Sequence, residues 1–171
     1  MAPLSRASSR KPAGHSDPAT IAHYDRCGER AAEVARRSGR PVRAEHEQRV
    51  RDYTRKPDAF LLLAEDASEV LGMGLGMQGP AGDGADPPVP ELCHIAMIFV
   101  APERWGEGIG GRVLGGMLDE ARSRSYERAQ LWTHAYNARV QRLYEGHGFR
   151  RTGREKPDDL GEWIVHYERA L

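Results

Sequence analysis

The stretch Val100-Ala-Pro-Glu-Arg-Trp-Gly-Glu-Gly-Ile-Gly-Gly-Arg-Val-Leu114 decides how the rest of the chain is read. An apolar run ends at Val100, a turn rich in glycine follows, and an amphipathic pattern begins directly behind it. Gly106, Gly108, Gly110 and Gly111 let main-chain N–H groups converge, and a helix starting there adds the positive end of its dipole, so the segment suits an anion such as phosphate. Glu107 is compatible with that role when its side chain points away. The spacing lacks the lysine of a P-loop and the G-x-G-x-x-G of a dinucleotide fingerprint.

Working upstream, Leu92 to Val100 reads as a strand of buried-type residues. Ala59 to Ala64 and Val70 to Met77 read as a hairpin around an acidic turn at 65–68. In its second arm Gly72, Gly74 and Gly76 alternate with Leu71, Met73, Leu75 and Met77, which leaves one face nearly bare. Residues 79–90 form a long loop of turn formers, a candidate rim for a substrate. Asp17-Pro18 starts a helical pattern that runs to Gly39, and a second, polar helix spans about 44 to 54. Residues 1–17 carry almost no large apolar side chains and read as a disordered tail, which leaves no convincing strand ahead of the first helix.

Downstream, the patterns give a helix over 108–124, a strand over 130–134, a helix over 137–146, and strands over 149–154 and 163–168. The order describes a mixed α/β layer rather than a regular βαβ repeat.

The 171 residues suit one domain, no apolar run approaches a membrane span, and two cysteines cannot make a disulfide framework. With no apolar leader, the expectation is a cytoplasmic protein with reduced Cys27 and Cys93. The formal net charge is zero, so nothing global advertises nucleic acid or a membrane as partner. That zero divides into +6 over residues 1–56, −8 over 57–111 and +2 over 112–171. His15, His23, His46, His147 and His166 show no ligand spacing with cysteines or carboxylates, so no metal is expected.

A second segment makes the first specific: Asn137-Ala-Arg-Val-Gln-Arg-Leu-Tyr-Glu-Gly-His-Gly-Phe149, preceded by Leu131-Trp-Thr-His134. Together they resemble the GCN5-related N-acetyltransferase (GNAT) superfamily, with its V-x-P-x-x-[QR]-G-x-G-[IL]-G loop and N-x-x-[AV]-x-x-L-Y-E-x-x-G-F helix. The resemblance implies one α/β domain over 18–171: a single mixed, mostly antiparallel sheet with a central splayed parallel pair and flanking helices. It implies acetyl-CoA as co-substrate, with the pantetheine arm on main-chain groups of Ile98, Phe99 and Val100. The pyrophosphate then lies on the main chain of Gly106, Glu107, Gly108, Ile109, Gly110 and Gly111, and Asn137 contacts the pantetheine side. Tyr144 becomes the general acid for the departing thiolate. A seven-residue step is nearly two helical turns, so Asn137 and Tyr144 are expected on one face.

Direct attack on acetyl-CoA requires an uncharged amine, so a base is needed. By the resemblance His94 occupies a position where several members carry one. Glu91 is the nearest substitute, and His134 stays in play by strand periodicity. Trp132 stands where other members place the base and cannot accept a proton. Cys93 alternates away from His94, which argues against a thiol nucleophile. Trp105 and Glu107 depart from the usual Gln or Arg and the usual Arg or Lys, weakening electrostatic help to phosphates.

The expected reaction is acetyl transfer from acetyl-CoA to a primary amine on a small cationic metabolite, attracted by Asp83, Asp86 and Glu91, with His134 also lining the acceptor side. Acetylation of a protein N-terminus or lysine is the alternative within the fold. A noncatalytic acyl-CoA-binding module is the alternative outside it, and a homodimer is the one assembly left open.

Overall fold

The computed structural model describes residues 4–7, 48, 52–53, 55–66, 69–81 and 87–171. The strands are β1 (Leu4–Ala7), β2 (Phe60–Asp66), β3 (Glu69–Pro80), β4 (Pro88–Val100), β5 (Arg128–His134), β6 (Arg150–Pro157) and β7 (Trp163–Ala170). The helices that follow the glycine turn and β5 are α1 (Ile109–Ser123) and α2 (Ala138–Gly146). Strand order is β1-β2-β3-β4-β5-β7-β6. The architecture is the expected mixed α/β sheet with flanking helices. The first expected helix lies outside the described residues. Of the second, Gln48, Asp52 and Tyr53 are described and helical, with Gln48 Nε2 donating to Asp52 Oδ1 at 2.8 Å.

Contacts group the chain into two compact units where composition suggests one core. The first holds residues 1–77 and 97–117, and the second 78–96 and 118–171.

In the first unit β1 pairs antiparallel with β2, Leu4 opposite Ala64 and Ala7 opposite Leu61. The expected disordered tail is therefore wrong at these four residues, and the first strand that the sequence seemed to lack is supplied here. A short edge strand is held by main-chain ladder bonds, which leave no periodic apolar signature. β2 pairs in turn with β3, Phe60 opposite Gly76 and Asp66 opposite Glu69. Phe60, Leu61, Leu62, Leu63 and Ala64 are all buried, as in a strand covered on both faces.

The bare face of β3 has a physical reason in α1. Ile109, Val113 and Met117 recur every fourth residue and so share a helix face. A Cβ at Gly72 would lie 3.1 Å from Ile109 Cγ2, and one at Gly74 would lie 2.9 Å from Val113 Cγ1 and 2.8 Å from Met117 Cγ. The glycines thus admit α1 at close range, and that packing fixes Ile109, its first residue, directly behind the glycine turn. Burial of each large apolar side chain here contributes about 2 kcal/mol.

In the second unit β4 and β5 run parallel over one short ladder, Leu92 opposite Arg128, Cys93 opposite Ala129 and His94 opposite Gln130. The ladder ends there although both strands continue, the splay that the resemblance implies. β5 pairs antiparallel with β7 over its whole length, from Arg128 opposite Ala170 to His134 opposite Ile164. β7 pairs with β6 across a bulge between Arg151 and Glu155. Polar groups join these strands internally: fully buried His166 lies 2.9 Å from both Gln130 Oε1 and Thr152 Oγ1. Gln130 Nε2 donates to Pro80 O at 2.8 Å, tying the end of β3 to β5.

Candidate active site

The glycine turn belongs to the first unit. Ala101 N donates to Leu71 O at 2.9 Å, and a short 3-10 turn over Pro102–Arg104 follows. Gly106 and Gly108 then adopt φ +97° and +72°, where L side chains are strained. Nothing lies within 4 Å of the position a Cβ would take at either residue. The turn is open on that side, and α1 begins one residue later with no acidic side chain in its first turn. These residues fit a phosphate group held by main-chain donors and the helix dipole.

The two departures from the family pattern have visible consequences. Glu107 turns its carboxylate onto Arg104, with bonds of 2.8 and 2.9 Å to Nε and Nη2. The Arg104 hydrogen bond holds the Glu107 carboxyl below its usual range and the pair is locally neutral, so Glu107 adds little repulsion. Trp105 Nε1 donates to Val100 O at 2.9 Å, clasping the turn to the end of β4. That bond uses one of the two lone pairs of the carbonyl. Met97, Ile98, Phe99 and Val100 all remain partly exposed, an unusual run of apolar side chains in contact with water. The sequence reading passed over Arg112, whose Nη1 donates to Glu107 O at 3.3 Å and brings a guanidinium to the turn. Its place in the first turn of α1 is the signal that could have marked it.

The proton-handling candidates belong to the second unit. His94 is partly exposed at the last rung of the parallel ladder, while Cys93 is fully buried. Gly79 packs beside His94, since a Cβ there would lie 3.0 Å from His94 Cβ and 2.8 Å from Gln130 Nε2. Glu91 is partly exposed, and its carbonyl accepts from Glu127 N at 2.8 Å. Trp132 has Lys156 Nζ 4.7 Å from its ring centroid, Arg154 at 5.8 Å and the His166 ring at 4.8 Å.

Asn137 does not sit inside the helix, as the face-sharing expectation assumed. It caps α2, its side chain accepting from Val140 N at 3.2 Å. Its amide NH2 is what remains to offer a ligand. Tyr144 is buried on α2, with Phe149 edge-on at 6.0 Å and Tyr167 at 6.3 Å between centroids. Burial pushes its phenol far above the ordinary tyrosine range.

His134, expected on the acceptor side, is drawn into a cluster that chain spacing could not reveal. Its Nε2 lies 3.1 Å from Asp158 Oδ2 and 3.3 Å from Glu162 Oε2, carboxylates supplied by the turn between β6 and β7. Among the described residues these three could together contact one cation, and the expectation of no metal was drawn from other histidines than His134. Desolvation alone would raise the Asp158 carboxyl, but main-chain N–H groups of Leu160 and Glu162 and the His134 side chain hold it below its usual range. Asp83 and Asp86 lie outside the described residues. Among those described, no helix is long and apolar enough to cross a membrane.

The model of the acetyltransferase (GNAT) family matches residues 22–149. A mycothiol acetyltransferase of Thermobispora bispora is 32% identical over 93 residues, 54% of this chain and 30% of that protein. The chain thus spans well under half the length of the curated relatives it matches. The ribosomal-protein-S18-alanine N-acetyltransferase of Escherichia coli shares the fold at TM-score 0.72 and 15% identity, covering 100% of this chain and 94% of that one. A GNAT acetyltransferase from Elizabethkingia anophelis, solved with acetyl-CoA bound, superposes at TM-score 0.62 and 18% identity over 99% and 97% of the two chains. The family match spans most of the chain, from ahead of the hairpin to the end of the Tyr144 helix, and the chain belongs to the GNAT family of acetyltransferases.

Proposed function

We propose that the protein transfers the acetyl group of acetyl-CoA directly to a primary amine on a small cationic acceptor. The observation that carries this reading is the open glycine turn. Gly106 and Gly108 hold left-handed conformations, their side-chain positions are empty, and α1 starts immediately behind them. Acetyl-CoA supplies an acetyl group already activated as a thioester. The turn from Gly106 to Gly111 offers main-chain N–H groups to its phosphates, and the partly exposed residues Met97 to Val100 offer an apolar bed beside that turn.

Within the second unit the roles divide by environment. His94 is the proposed base, accepting a proton from the acceptor amine directly or through water. His134 is less suited, because its Nε2 is held by two carboxylates. Tyr144 keeps its proton throughout the neutral range, since burial raises its phenol so far. So weak an acid stabilises a departing thiolate by donating a hydrogen bond rather than by giving the proton away completely. Asn137, pinned as the cap of α2, presents its amide on the same element.

The test is CoA release over a panel of cationic and neutral amines of similar size, repeated over a salt series. Turnover that favours cations and weakens with salt supports the reading. Equal turnover of neutral amines removes the cationic preference. Acetyl-CoA binding without release for any amine, peptide N-termini included, replaces the enzyme with a binding module.

A further inference from the structure

Gln130 is a buried amide beside the proposed base, 1% exposed, and it lies opposite His94 on the last rung of the parallel ladder, where β4 and β5 begin to splay. Residues opposite one another in a ladder project from the same face of the sheet, so the two side chains stand together. β4 lies between β3 and β5 in the strand order. The bond from Gln130 Nε2 to Pro80 O, 2.8 Å long, therefore reaches across β4 at His94 and joins the end of β3 to β5. Gly79 leaves the room it needs. A Cβ there would lie 2.8 Å from Gln130 Nε2, 3.0 Å from His94 Cβ and 3.3 Å from His94 N, so a side chain at this position would displace the amide or the histidine.

The amide is also oriented from its other end. Its Nε2 is committed to Pro80 O, so its Oε1 faces His166 Nε2 at 2.9 Å, and that ring nitrogen carries the proton. Arg154 Nη2 lies 2.8 Å from His166 Nδ1 and 2.7 Å from Nε2; a guanidinium only donates, so Nδ1 is the nitrogen that accepts, with Thr152 Oγ1 also 2.9 Å from it. Turning the amide over would oppose two acceptors at Pro80 and two donors at His166. Arg154 Nη1 donates in addition to Ala81 O at 3.2 Å. Side chains of β5, β6 and β7 thus hold both Pro80 and Ala81, all within the second unit.

We infer that Gln130 is a positioning residue for the reaction: through Pro80 it braces β3 against β5 across β4, and so fixes the His94 side chain where the two parallel strands part. His166 serves the same end one step back, by holding the Gln130 amide the right way round. A base displaced by about 1 Å loses much of its effect on rate, which is what gives a buried amide without reactive chemistry a catalytic consequence. This rests on the acetyltransferase reading above, in which His94 is the base.

The experiment labels histidines of the whole chain with diethyl pyrocarbonate and reads His94 against His147, both partly exposed, by mass spectrometry. Gln130→Met removes both amide bonds at similar volume, and Gln130→Glu keeps an acceptor for His166 while opposing two acceptors at Pro80. Val165→Ala, at a fully buried position of β7 whose side chain alternates away from that of His166, is the control for lost stability. Thermal melts check the folding of all three. The expected result is a His94 to His147 labelling ratio that rises several-fold in both glutamine variants and keeps its wild-type value in Val165→Ala. In turnover the same two variants should lose kcat about tenfold or more with KM for acetyl-CoA little changed. A ratio unmoved in both, an equal rise in Val165→Ala, or an unchanged kcat in both overturns the proposal. The wild type supplies a check that needs no variant, since a Gln130 side-chain amide proton should exchange slowly with solvent by NMR, and fast exchange of both overturns the brace. Where the wild type acetylates no amine, the acetyltransferase reading fails, and the labelling ratio alone decides whether Gln130 places His94.

Discussion

Tyr144 joins packing to the proposed chemistry in one side chain. Its ring fills the space beside Phe149 and Tyr167, and the same burial raises its phenol. Tyr144→Phe keeps the ring and removes the hydroxyl, so kcat is expected to fall by about 100-fold with acetyl-CoA affinity little changed. Because the native phenol titrates above the unfolded one, the unfolded state loses its proton first as pH rises. Stability is therefore full below about pH 10 and declines above it. Denaturant midpoints from pH 8 to 11 should drop less steeply in Tyr144→Phe. For His94→Ala, the acid limb of the kcat/KM profile should disappear, and an unchanged profile removes His94 as the base.

At the scale of elements, the segments with strong periodicity were readable within a few residues: α1, α2, the hairpin and the closing strands. β4 begins at Pro88, earlier than its apolar core suggests, because Pro88-Val-Pro90 looks like loop, yet proline is tolerated at a strand start. The glycine turn was legible because its conformation demands glycine locally. The His134 cluster was not, since its carboxylates come from a turn that only pairing of β5, β7 and β6 brings back. Gly108→Ala isolates the turn. The new methyl meets open space, so the cost to stability is only the left-handed backbone, about 1 kcal/mol, while it intrudes on the proposed phosphate position. A small change in Tm with about a tenfold or greater loss of acetyl-CoA affinity is expected by calorimetry.

Across the whole molecule, the charge division proved less informative than the pairing of strands. Asp83 and Asp86, two of the acidic residues invoked for steering, lie outside the described residues, while the carboxylates that do converge sit in the nearly neutral last third of the chain. The first strand was illegible because four edge residues need no apolar alternation. Its importance lies in what it covers, since without it the main chain of Leu61 to Ala64 presents an unpaired, strongly apolar edge. Deletion of residues 1–7 should lower Tm and produce self-associated species detectable by light scattering, and an unaltered monodisperse profile would count against that role for β1.

β3 carries a consequence for how this protein can vary. At Gly74 even the smallest side chain meets Met117 and Val113, and at Gly76 it meets Phe60. Single-site saturation along this strand should therefore read as a comb, with every second position refusing alanine. The positions between, Met73 and Leu75, should accept other apolar residues of similar volume. Escape from that comb requires paired changes, a larger residue at the glycine with a smaller one on α1, so the strand and the helix are constrained to vary together.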